Sequence, residues 1–154
     1  MWRSACLAVG AMVAILAWWA AVVHVHYKSD FTRLFVIGTD WKMPVELESL
    51  EPAKIAGPGY DGQWYLLMTM DPFMAKGFDR RMDDGRLRYR RILIPLLAHF
   101  AACGKAERAP MAFCLVTLLM LGLGVYWSSR YAMDRQLSCW WGLRSFYCQG
   151  RYLL

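Results

Sequence analysis

The sequence predicts an all-α integral membrane protein with about three spans, whose first two apolar segments are separated by an external loop bearing short interfacial helices. Hydrophobic residues make up 58% of the 154-residue chain, with eight Trp and ten Met, far above a soluble globular average. Ala5 to Val23 and Ala109 to Trp127 each lack a charge for about 19 residues, enough to cross a hydrocarbon core of roughly 30 Å. The charged residues between these segments belong to a polar stretch that must lie outside the bilayer core.

Taken in order, residues 5–26 are expected to form the first membrane helix. Arg3 gives them the charged start of a signal peptide. However, the apolar run is too long for one, and no small-x-small cleavage site precedes Trp18, Trp19 and the His24-Val25-His26 exit. Within the helix, Gly10 and Ala14 form a small-xxx-small pair that anticipates a close neighbour.

Residues 27–90 are read as the external loop, with the N-terminus in the cytoplasm. Phe31, Leu34 to Ile37 and Trp64 to Met68 give it apolar faces, which predicts that it lies on the membrane. Gly57-Pro58-Gly59 breaks the chain. Asp61 can then cap a helix running to about Met70, and Asp71-Pro72 is a second helix-start signal.

Residues 88–104 are expected to form a short or tilted membrane helix; their apolar run is interrupted by Pro95 and would otherwise be re-entrant or interfacial. Lys105 and Arg108 mark a cytoplasmic turn, and residues 109–128 form the last span. Residues 129–154 read as an altered or truncated tail, because Arg144, Gln149 and Arg151 interrupt the apolar start made by Cys139 to Leu143.

The net charge of +6 raises nucleic acid as a partner, but the basic residues form no dense tract with interleaved aromatics, so nucleic acid is not expected. Membrane lipids suit the six arginines between Arg80 and Arg91 better. The five cysteines are odd in number and lack metal-ligand spacing, which favours buried free thiols. His24, His26 and His99 read as packed or interfacial, so no metal site is expected.

The most informative runs are Gly59-Tyr60-Asp61-Gly62-Gln63-Trp64-Tyr65, then Asp71-Pro72-Phe73, then Arg88-Tyr89-Arg90-Arg91 leading to Pro95. Together they resemble the amino-terminal part of bacterial multi-spanning membrane proteins related to C-type, mannosyltransferase-like glycosyltransferases. The resemblance covers roughly residues 5–143 and implies a bacterial inner-membrane protein that transfers a sugar from a polyprenyl-phosphate donor to an acceptor outside the cytoplasm. It implies Asp61 as catalytic base and Arg88, Arg90 and Arg91 as contacts to the lipid phosphate, with Tyr60, Gln63 and Tyr89 in support. A divalent cation is compatible with such chemistry, although no ligand cluster demands one. Because the family encloses its substrates with many further helices, the 154-residue chain is expected to be inactive by itself.

Each of these residues also has a structural reading. Asp61 is a natural helix cap, Asp71 is more cap than catalyst, and Asp83-Asp84-Gly85 is a solvated turn. The arginines equally suit headgroup anchoring. The alternative for the whole chain is a small non-enzymatic membrane protein that packs on a helical partner and binds anionic headgroups.

Overall fold

The computed structural model describes residues 2–40, 42–52 and 54–135. The chain is mostly helical: α1 (Trp2–His26), α2 (Val45–Glu48), α3 (Asp61–Met70), α4 (Gly85–Arg88), α5 (Leu93–Ala101) and α6 (Ala109–Asp134). Short 3-10 turns and one parallel pair, β1 (Ile37–Gly38) with β2 (Lys54–Ile55), complete it. Among the described residues two helical segments, Trp2–His26 and Ala106–Asp134, are long and apolar enough to cross a membrane. The last helix continues past residue 128 to Asp134; the expected altered tail from residue 136 onward lies outside the described residues.

Contacts divide the molecule into two compact units, one built on residues 2–18 and 118–135, the other on 19–117. In the first, α1 and α6 approach where Met12 lies against Gly122, at a place that a Cβ on the glycine would occupy. A Cβ on Gly10 would meet nothing of this chain within 4 Å. The close approach instead uses the small residue of α6. Val9, Val13, Leu119, Leu123 and Trp127 are exposed, as suits helices whose surroundings are hydrocarbon. Cys6 is exposed on the same helix and Cys103 is exposed after α5; only Cys114 of the described cysteines is buried.

The second unit has a packed core. Its centre is α3, with Gln63, Trp64 and Leu66 to Met70 all buried among Phe35, Ile37, Leu47, Phe78 and Tyr89. A helix apolar on every side needs cover on every side, so α3 is an interior helix rather than the interfacial one expected. α5 packs against it through buried Pro95 and Ala98, and His99 Nδ1 lies 2.8 Å from the Thr69 carbonyl. Truncating a fully buried leucine such as Leu66 or Leu67 costs about 2–5 kcal/mol in cores of this kind.

Main-chain contacts fix how α3 begins. Asp40 N–H donates to the Gly57 carbonyl and Tyr60 N–H to the Val36 carbonyl, folding residues 57–60 back onto β1. Gly38 is essential to this, because a Cβ there would overlap the backbone of Gly57, Pro58 and Gly59. Gln63 then latches the two strands of chain, accepting from Gly38 N–H at 3.0 Å and donating to the Pro58 carbonyl at 2.7 Å. A Cβ on Gly62 would lie 2.7 Å from the Phe35 carbonyl oxygen, so the first turn of α3 rests directly on the preceding 3-10 turn.

No helix starts at Asp71-Pro72. Asp71 instead ends α3, and its buried carboxylate accepts from the N–H groups of Ala75 at 2.7 Å and Lys76 at 2.8 Å. Those bonds fold residues 72–77 into a loop, which leaves no free helix-start donors. The region 61–90 therefore holds α3, two short 3-10 turns and the four-residue α4 rather than two interfacial helices.

Candidate functional site

Asp61 stands at the first residue of α3, with Tyr60 as the cap residue and no side-chain cap bond. The expected capping role is thus displaced by one position. Its carboxylate is favourably placed at the positive end of the helix and points outward, 61% exposed. Main-chain packing of Gly62 and the Gln63 latch aim it, so the Tyr-Asp-Gly-Gln run divides into one outward carboxylate and two inward structural residues.

Arg88, distant in sequence, reaches Asp61 with an Nη1–Oδ1 distance of 2.9 Å. It also grips Asp83 in two-pronged fashion, Nε to Oδ1 at 2.6 Å and Nη2 to Oδ2 at 2.8 Å. Its guanidinium carbon sits 5.6 Å from the centroid of the Trp64 ring, a cation–π geometry. The Asp83 clasp, with the bond to Asp61, outweighs the opposing desolvation and raises the guanidinium pKa above its ordinary value. The bond from Arg88 is also the largest influence on Asp83, whose carboxyl is held below the usual carboxylate range. Ion pairs with such exposed carboxylates contribute up to about 1 kcal/mol each, so the clasp orients more than it stabilises.

Asp61, Tyr65, Asp83, Asp84, Leu87, Arg88 and Arg91 line a cleft of about 250 Å³. Arg91 is exposed and donates to the Tyr65 hydroxyl at 3.4 Å; that contact leads the upward shift of its pKa. Arg88 is half-committed to carboxylates on both sides, whereas Arg91 faces only a phenol. The cation with capacity for an incoming anion is therefore Arg91.

The remaining expected site residues have other positions. Arg90 is exposed and does not line the cleft. Tyr60 is exposed, and its backbone begins α3. Gln63 is internal to the latch. Tyr89 is buried, donating its hydroxyl to the Asp71 carbonyl at 2.6 Å; burial, aided by the charges of Asp71 and Asp79, raises its pKa. It holds the α4–α5 connection to the end of α3.

Sequence reasoning missed Asp83, Asp84 and Tyr65. The acidic pair forms the solvated turn expected, both residues being exposed; within it Asp84 also caps α4 through Leu87 N–H at 3.3 Å and Asp83 clasps Arg88. A five-residue separation carries no helical periodicity, and the turn that joins them is visible only in three dimensions. Among the described residues no group of three or more His, Cys, Asp or Glu side chains is placed to hold a metal ion. No family model, curated protein or solved structure matches the chain.

Proposed function

We propose that this chain is a membrane-embedded, glycosyltransferase-like protein that handles a polyprenyl-phosphate sugar at the outer face of a bacterial inner membrane. The observation that carries the reading is the meeting of Asp61 with Arg88 and Arg91 in one cleft, from segments 27 and 30 residues apart.

In this reading Asp61 accepts the proton of an acceptor hydroxyl as its oxygen attacks the anomeric carbon. The bond from that carbon to the phosphate oxygen breaks, and polyprenyl phosphate departs with the bonding pair. Arg91 stabilises the departing anion by a charge-assisted hydrogen bond, while Arg88 keeps the Asp61 carboxylate turned into the cleft. Arg88 is thereby a positioning residue, and the principal lipid-phosphate contact moves from the arginine run as a whole to Arg91.

Because the chain is expected to be inactive by itself, the first test reads binding: the chain in proteoliposomes should retain a polyprenyl-phosphate hexose labelled in the sugar, and Arg91→Gln should weaken that binding without affecting insertion. In a longer parent that carries the enclosing helices, label should leave the lipid for a hydroxyl acceptor, and Asp61→Asn should reduce that rate by about 10²-fold or more. No donor binding by the wild-type chain, or full transfer by Asp61→Asn in that parent, rejects the proposal. Exposed Arg86 and Arg90, which have no ion pair among the described residues, favour the second reading, a non-enzymatic protein that binds anionic headgroups.

A further inference from the structure

α4, the 3-10 turn Tyr89–Arg91 and α5 follow one another almost without interruption from Gly85 to Ala101. Tyr89, Pro95 and Ala98 are buried toward the core. On the other side, Arg86, Arg90, Leu93, Leu97 and Phe100 recur at alternating intervals of four and three, the spacing of a helical face. Leu93 is 64% exposed and Phe100 61%, and Phe73, 67% exposed, stands beside them against His99. The α5 segment itself contains no Asp, Glu, Lys or Arg.

Cations flank this apolar face at both ends: Arg86 and Arg90 before it, Lys105 and Arg108 after it, all exposed. A helix that crossed the bilayer would separate these pairs by the whole membrane, but nine residues rise only about 14 Å, roughly half of the hydrocarbon thickness. A helix lying in the plane of the interface keeps both pairs at one headgroup level.

We infer that α5 lies on the bilayer surface, its Leu93–Phe100 face seated on the anionic lipid of the same membrane that α1 and α6 cross. Charge complementarity and chain continuity identify the occupant: four cations surround the face, and the segment that follows Arg108 enters a membrane-length helix directly. The chain then crosses twice, with residues 27–108 on one side and Arg3, Arg130 and Arg135 on the other. The inference is independent of any sugar-transfer reading.

The experiment places single spin labels at residues 93, 97 and 100 of a full-length, cysteine-free chain in nanodiscs containing phosphatidylglycerol, and reads depth from relaxation by oxygen and by a water-soluble nickel chelate. The three positions should report one common, shallow depth. Impermeant labelling of Ala106→Cys in sealed cells should match that of exposed Arg81→Cys and oppose that of an Arg135→Cys control. A depth gradient of about 10 Å from 93 to 100, with residue 106 opposite residue 81, would establish a third span and overturn the inference. Access by nickel and not oxygen at 93 and 100 would also overturn it, showing that the face meets water or protein. The labelled positions at 93 and 100 are exposed, so they suffice if the variant at 97 fails to fold.

Discussion

α1 and α3 are both written in apolar residues, yet they use them in opposite ways. Along α1, Val9, Val13, Leu16 and Trp18 face outward, whereas in α3 the run from Leu66 to Met70 is enclosed by protein. The difference lies in what covers the side chains. Lipid accepts an apolar surface of any shape, but an internal core demands matched volumes and leaves little tolerance. Glycines make the contrast sharpest: a Cβ on Gly10 of α1 meets nothing, while one on Gly38, under α3, meets three backbone atoms.

Exchanging those two glycines is the strongest way to break the contrast. Gly38→Ala should destabilise the second unit by about 3 kcal/mol or more, since a backbone collision cannot be relieved by a rotamer change. Gly10→Ala should be neutral or stabilising by up to about 1 kcal/mol. Denaturant titration in detergent, followed by Trp fluorescence, reads both; equal effects would erase the distinction.

A second substitution sharpens the role of the latch. Gln63→Leu preserves bulk but removes the acceptor for Gly38 N–H and the donor to the Pro58 carbonyl, and unsatisfied buried groups cost about 1–3 kcal/mol each. The loss should be comparable to a core truncation and confined to residues 27–108, visible as faster amide exchange at residues 36–40 and 57–63. Protection left unchanged there would remove the latch from the account of α3.

The smallest effect belongs to the cleft. Asp83 has a folded-state pKa below its unfolded value, so its contribution is present above about pH 4 and is lost as pH falls through the lowered folded value. Asp83→Asn should therefore cost up to about 1 kcal/mol near neutrality and abolish that part of the acid dependence. Thermal melts of both proteins between pH 3 and 7 should converge at the acid end; parallel curves would show that the clasp does not contribute.

The two membrane-length helices were legible because uninterrupted apolar runs leave few alternatives. The core around α3 was not, since Trp64 to Met68 reads identically whether the cover is lipid or protein. Asp61 and Arg88 were both picked out by their surrounding motifs, but the clasp from Asp83 was not visible, because it depends on a turn that no periodicity announces. Asp71 misled for a related reason: an Asp-Pro pair promises a helix, and only the positions of Ala75 and Lys76 N–H show the carboxylate already engaged.

The seat under Asp61 is made of main chain, with Gly38, Gly59 and Gly62 admitting backbone where side chains would stand. Aim and chemistry are consequently separable in this cleft. Side chains at Tyr65, Leu87 and Arg91, which line it, can be exchanged to alter its size and charge while the carboxylate keeps its origin and direction. The same scaffold thus offers a fixed pivot on which the selectivity of an exposed pocket lined by charges of both signs can be rewritten by design.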